Sequence, residues 1–329
     1  MDETQPPPPP SPQQTYAYTT PATRRSRSAG FWLLIAVGSA LALVAIVVGS
    51  VWGVMRSFKS DDADGSGAAV SSQKIGVIDV SGVILSADTL SQQMRKMADD
   101  DDVKAIILHI NSPGGGAAAS QELFNEVVRI RKEKHKKIIA SIESVGASGA
   151  YYIASGCDRI YANDASVVGS IGVIMEWTNY GELLHWAKLK NVTLKAGELK
   201  DAGDPTRDMT PKEQAYFQTL VDNMHGQFIH DVATGRGTTD DKIIPLATGQ
   251  VWTGQQAMKL HLIDKEGGFR IALMDTAKEA GISGEPGIRR PSRSKRGLAS
   301  LLLNGDAEDI FPNPSKLLDQ APGFYYMWR

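Results

Sequence analysis

From Lys74 onward, short β-branched apolar runs alternate with amphipathic stretches. IGVIDVSGVIL (Ile75 to Leu85) has strand composition and ends near turn residues, and Thr89 to Ala98 carries helical spacing. VKAIILHI (Val103 to Ile110) is almost continuously apolar, as befits a strand buried on both faces of a parallel sheet. Ser120 to Lys132 is helical, and KKIIASIES (Lys136 to Ser144) is strand again. Ser148 to Ala154 starts a helix, and DRIYAN (Asp158 to Asn163) is a short strand. Pro211 to Thr234 predicts a long amphipathic helix, with Thr210 as N-cap and proline at the first helical position. Strand–helix alternation of this kind predicts a layered α/β domain, not a bundle or sandwich. It closes around Ala280 to Gly287.

The flanks break this pattern. Phe31 to Met55 contains no charged residue, and at about 1.5 Å per residue it would reach roughly 37 Å as a helix, enough to cross a hydrocarbon core of about 30 Å. Trp32 and Trp52 fall near its ends, where indoles favour the interface. The segment has no A-x-A-like exit and is too long for a cleaved signal peptide, so an uncleaved single-pass anchor is expected. Arg24, Arg25 and Arg27 precede it, against Arg56 and Lys59 after it. The positive-inside rule then puts the N-terminus in the cytoplasm and the large domain outside the cell membrane. The expected organisation is a proline-rich solvated tail (1–30), the anchor (31–55), a small, polar linker (56–73), the α/β domain (74–287), and a basic linker with an apolar C-terminal tail (288–329).

Composition narrows the chemistry. The 329 residues carry 35 Lys and Arg against 37 Asp and Glu, a net charge of −2, with no basic footprint for nucleic acid. One cysteine, Cys157, leaves no disulfide framework and no Cys-rich metal site. The six histidines form no HExxH and no i, i+4 pair, so no metal site is expected. INSPGGG (Ile110 to Gly116) is not followed by Lys-Ser/Thr, which argues against a phosphate loop, and no GxSxG elbow occurs.

Two glycine-rich junctions remain, each directly after an apolar strand. In AIILHINSPGGG (Ala105 to Gly116), glycines allow a sharp turn with outward N–H groups, the requirement of an oxyanion hole. In SIESVGASGAYYIAS (Ser141 to Ser155), Ser148 sits among small residues at a helix start, suited either to capping or to nucleophilic attack. Lys188, Lys190, Lys195 and Lys200 are dense further on, and composition alone singles out none of them as a base.

IGVIDVSGVI, INSPGG, GASGAYYIA, ASVVGSIGVI, AGELKDAGDPTRDMTPKEQ and GQVWTGQQAMKLHLID follow one another in the order and spacing of the signal peptide peptidase A family. The chain resembles its short, single-repeat, membrane-anchored form, a Ser-Lys protease of the ClpP/crotonase superfamily, over about Lys74 to Ala280. The resemblance implies a ClpP/crotonase-like layered α/β fold, Ser148 as nucleophile, and Lys200 as general base. It implies the backbone N–H of Gly115 as oxyanion donor, with Gly149 as the second, and Ser170 as the hydroxyl that steadies the lysine. It implies no cofactor and a homo-oligomer whose neighbouring subunits complete the sites. Leu199 replaces the aromatic or His common before the lysine. His261 stands where Gly usually precedes Leu-x-Asp, and His109 stands where Arg is frequent.

The expected function is endopeptidase action on apolar peptides, remnant signal peptides among them, at the outer face of the cytoplasmic membrane. A non-proteolytic oligomeric scaffold and a crotonase-like acyl-CoA enzyme are the rivals. The apolar end Phe324 to Trp328 suits a hydrophobic cleft, so the segment after Arg296 is expected to dock in a neighbouring subunit's groove.

Overall fold

A computed structural model describes residues 73–291 and 323–328, all of which belong to one compact unit, Ala69–Arg329. The expected anchor and N-terminal tail lie outside the described residues. So do the linker up to Ser72 and the basic stretch after Pro291. No helix among the described residues is long and apolar enough to cross a membrane.

The elements follow the hydrophobic pattern closely. In chain order they are β1 (Lys74–Ser81), α1 (Asp88–Asp99), β2 (Val103–Ser112), β3 (Gly114–Gly116), α2 (Ala117–Glu133), β4 (Lys137–Ala147), α3 (Gly149–Ser155), β5 (Arg159–Ala162), β6 (Val167–Gly169), β7 (Ile174–Glu176), α4 (Gly181–Trp186), α5 (Pro211–Gly235), α6 (Asp240–Ile243), β8 (Val251–Thr253), α7 (Gly254–Lys259), β9 (Lys265–Glu266), α8 (Phe269–Glu279), β10 (Gly287–Arg289) and β11 (Gly323–Met327). Thr210 caps α5 as its sequence predicts: its hydroxyl accepts from Glu213 N–H while the Glu213 carboxylate accepts from Thr210 N–H.

One sheet runs β10-β1-β2-β4-β5-β9 with parallel pairing, and β6 joins β4 and pairs antiparallel with β8. Alternate residues on each strand serve different layers. Ile75, Val77, Ala105, Ile107 and Ile139 pack with Ala272, Leu273 and Ala277 of α8. Ile78, Val80, Ile106, Leu108, Ile110, Ile138, Ala140 and Ile142 pack on the other face with α1, α2, α3 and α5. The near-continuous apolar runs thus reflect burial from both sides.

The sheet splits where the site forms. Up to Ile142, β4 pairs with β2 and β5; from Val145 to Ala147 it pairs with β6. The β2–β4 register slips between Ile110 and Ser112, so β4 has extra residues there. A second, three-stranded antiparallel sheet, β3-β11-β7, stands beside this split.

Candidate active site

Ser148 follows the last residue of β4 and precedes α3. Its backbone lies at φ 53° and ψ −120°, a region that costs a non-glycine residue roughly 1–3 kcal/mol and persists only when the surroundings enforce it. Here they do. Ser148 N–H donates to Gly169 O at 2.7 Å, its carbonyl accepts from Tyr152 N–H at 2.8 Å, and every residue of α3 is buried. Tyr151 Oη donates to Leu262 O at 2.8 Å and Tyr152 Oη donates to the Asp231 carboxylate, fixing α3 from two sides. Burial pushes both phenols to higher pKa, and the Asp231 carboxylate adds to the effect at Tyr152.

Ser170 occupies the corresponding place on the next strand. Ala147 and Gly169 are register partners, so Ser148 and Ser170 leave adjacent strand ends together. Ser170 is buried and also has positive φ (53°), and its N–H donates to Gln250 O at 2.8 Å.

The glycine strand β3 forms the other wall. Ile84 N–H donates to Gly114 O at 2.9 Å and Gly116 N–H donates to Ile84 O at 2.8 Å, which leaves the Gly115 N–H directed away from Ile84. On that open side lies β11, the chain's own tail, with Tyr325, Tyr326 and Met327 opposite Gly116, Gly115 and Gly114. Trp328 N–H donates to Pro113 O at 2.8 Å. Antiparallel ladders alternate hydrogen-bonded and open pairs, so Tyr326 and Gly115 form the next hydrogen-bonded pair, with the Gly115 N–H facing the Tyr326 carbonyl. A Cβ on Gly114 (φ 98°) would lie 2.0 Å from that carbonyl oxygen and 2.6 Å from Gly149 N. A Cβ on Gly149 would lie 3.0 Å from the same oxygen. A peptide carbonyl therefore lies against Gly114 and Gly115 and close to Gly149, the residue that follows Ser148.

The tail docks as its apolar sequence suggested, but in the cleft of its own chain, where the sequence reading had a neighbouring subunit. Gly114 was missed. Its role depends on how closely another backbone passes, and the run Gly114 to Gly116 does not show which glycine is approached.

Lys200 is elsewhere. It lies exposed on a turn after Gly197, in an irregular arm running from Tyr180 to Arg207. Among the described residues its ammonium has no hydrogen-bond or ion-pair partner, and no lysine reaches the Ser148 hydroxyl. One chain thus brings together Ser148, Gly149, Gly115 and Ser170, and does not add Lys200 to them. His109 packs on Phe269 at 4.9 Å and faces Asp79, a structural place on the α8 side of the sheet. His261 adopts φ 57°, the left-handed region that glycine enters without strain.

The arm is tied down at its base. Tyr180 N–H donates to Pro205 O at 2.8 Å, and the Arg207 guanidinium donates to Glu213 Oε1 and Oε2 at 2.5 and 2.9 Å. Arg207, and then the Thr210 N–H, pull the Glu213 carboxyl down to about 2 from an ordinary 4.5. A carboxyl lowered on folding stabilises fully above its unfolded value, so this contribution is complete above about pH 4.5 and disappears as the pH falls through about 2. Glu213→Gln is expected to melt a few degrees lower at pH 7 and to lose less stability than wild type between pH 5 and pH 2. Parallel acid melting curves for the two proteins would show that the pair does not anchor the arm.

A model of peptidase family S49 matches residues 130–283. A putative protease of Synechocystis is 33% identical over 72% of this chain and 85% of its own length. The chain belongs to peptidase family S49. By that membership it is a serine-type peptidase. A putative protease of Methanocaldococcus jannaschii is 34% identical over 61% of the chain, and a putative signal peptide peptidase SppA of Enterococcus faecium is 35% identical over 57%. The matches cover 64% and 54% of those two relatives.

Proposed function

We propose that the chain is a membrane-anchored endopeptidase with a Ser148–Lys200 dyad and a ClpP/crotonase-like fold. It cleaves apolar peptides, remnant signal peptides among them, at the outer face of the cytoplasmic membrane. The observation that carries this reading is the tail strand, an extended peptide whose Tyr326 carbonyl faces the Gly115 N–H and passes close to Gly149, the residue after Ser148. A backbone N–H so placed can stabilise the anion that forms when a carbonyl is attacked.

In the proposed reaction, Ser148 Oγ attacks the carbonyl carbon and its proton passes to the neutral Lys200 Nζ. The oxyanion collapses, the C–N bond breaks, and the leaving amine takes that proton. Water then attacks the acyl-enzyme, Lys200 accepts its proton, and Ser148 regains it as the ester breaks. An amine is a base only when neutral, and desolvation disfavours the ammonium. Lys200 of one chain is exposed, so a second copy is proposed to bring it to Ser148. The arm carrying Lys200 supports this, because Trp186, Val192 and Leu194 are 80%, 81% and 96% exposed, an apolar run suited to an interface.

Ser148→Ala is expected to lose fluorophosphonate labelling and about 10⁴-fold or more in kcat/KM on apolar peptides. The active protein is expected to be lighter than the variant by residues 327–329, cleaved after Tyr326. Undiminished hydrolysis by Ser148→Ala would overturn the nucleophile, and an unlabelled, inactive wild type would favour the scaffold reading.

A further inference from the structure

We infer that Ser112 is a positioning residue for the oxyanion hole: its buried hydroxyl holds the glycine strand so that the Gly115 N–H points at the carbonyl under attack. The inference rests on the proposed roles of Gly115 as oxyanion donor and Ser148 as nucleophile.

The make-up of β3 calls for a hold from outside the strand. Gly114 O and Gly115 N–H belong to one peptide unit, and in a trans peptide they point in opposite directions. Donation from Ile84 N–H to Gly114 O at 2.9 Å therefore turns the Gly115 N–H toward the cleft. Neither glycine has a Cβ to restrict its backbone, so this peptide plane is cheap to rotate. Gly114 lies at φ 98°, and Gly82, two residues before Ile84, lies at φ 70°. Both sides of the contact thus begin at glycine turns.

Ser112 joins those two turns. It is the last residue of β2 and is wholly buried. Its hydroxyl donates to Gly82 O at 2.6 Å and accepts from Gly114 N–H at 3.1 Å. Pro113, between Ser112 and Gly114, has no N–H, and the backbone groups of Ile84 are already engaged by Gly114 O and Gly116 N–H. Gly82 N–H donates in turn to Asn111 O at 3.1 Å. One hydroxyl thus ties the end of β1, the loop to Ile84 and the start of β3 into a unit. The far end of β3 is held separately, by donation from Ser120 Oγ to Gly116 O at 2.9 Å. Alanine at 112 would strip a partner from both Gly82 O and the buried Gly114 N–H, and a buried group left unpaired is costly enough to shift the strand.

The test uses the full chain in detergent and a heptapeptide copying residues 322–328. Ser112→Ala is expected to lower kcat about 10- to 100-fold and to leave KM within about threefold. The loss is smaller than that of deleting a donor, because the N–H is displaced and not removed. Peptide affinities of Ser148→Ala and Ser148→Ala/Ser112→Ala, read by anisotropy, are expected to agree within about threefold, since a neutral carbonyl asks less of the donor than an oxyanion does. Ser112→Cys, a weaker donor and acceptor, should fall between serine and alanine, and it carries the measurement if Ser112→Ala does not fold. Thr276→Ala removes another buried hydroxyl, one that donates to Ala272 O at 2.6 Å within α8, and is expected to lower the melting temperature while kcat stays. Wild-type kcat in Ser112→Ala, or a loss matched by Thr276→Ala, would overturn the positioning role and leave the peptidase reading standing. A wild type that leaves the peptide intact, or a Ser148→Ala protein that still cleaves it, would overturn the peptidase reading and the role of Ser112 with it.

Discussion

Lys200→Arg is expected to be as inactive as Lys200→Ala, each losing about 10³-fold or more in kcat/KM relative to wild type. Arginine keeps the positive charge and much of the length but cannot give up its proton in a protein, so it preserves an ion and removes a base. The wild-type kcat/KM is expected to rise with pH through a single ionisation that both variants lack. Lys188→Ala, Lys190→Ala and Lys195→Ala are expected to stay active. Lys195 already donates to Asp201 at 2.5 Å and to Glu198 O at 3.0 Å, which makes it a brace of the arm.

The separation of Lys200 from Ser148 within one chain allows a stricter test. Ser148→Ala and Lys200→Ala chains, each inactive, would be co-expressed. If every site takes its serine from one copy and its lysine from the next, random mixing restores activity at roughly a quarter of the sites. A dyad closed within one chain restores none. Full activity in Lys200→Arg would remove Lys200 from the mechanism. Failure of complementation together with inactive single variants would keep the dyad and overturn its assembly between copies.

Gly114→Ala is expected to lower kcat by about 10²–10³-fold, comparable to removing an oxyanion donor. Its Cβ would lie 2.0 Å from a carbonyl seated as Tyr326 is, and 2.6 Å from Gly149 N, at a φ of 98° that alanine tolerates poorly. Gly149→Ala should be equally damaging for two separable reasons. Its Cβ meets Ser120 Oγ at 2.3 Å, a packing conflict, and the Tyr326 carbonyl at 3.0 Å, a conflict with the bound peptide. Adding Ser120→Ala to Gly149→Ala should recover part of the lost melting temperature and little of the lost kcat/KM. Near-wild-type turnover in Gly114→Ala would show that a substrate carbonyl does not pass where the tail carbonyl lies.

Much of this molecule was legible in its pattern. A nearly continuous apolar run marked β2 because a strand covered on both faces is apolar at successive positions and not only at every second one. Thr210 and Pro211 marked the start of α5 because an N-cap and a first-turn proline act locally, and the structure added Glu213 to complete a capping box. The two glycine-rich junctions, around Gly114 to Gly116 and around Ser148, stood out as strand ends, and the family resemblance proposed Gly115 as oxyanion donor and Ser148 as nucleophile over a simple cap.

What stayed hidden depends on residues far apart in sequence. Tyr152, Phe228 and Tyr326 form one aromatic pocket, yet each by itself is an ordinary apolar residue of a helix or tail. Ser148 and Ser170 become neighbours only because β4 leaves β5 and takes β6 as its partner beyond Ile142. Gly114 differs from Gly115 and Gly116 only in what approaches it. Local pattern and short motifs determined the elements, their order and the two glycine-rich junctions, because hydrogen bonding and burial along one strand or helix are read from adjacent residues. The choice of cleft, its occupant and the side chain it grips was decided by tertiary packing, since a pocket is a property of surfaces that meet and not of any one segment.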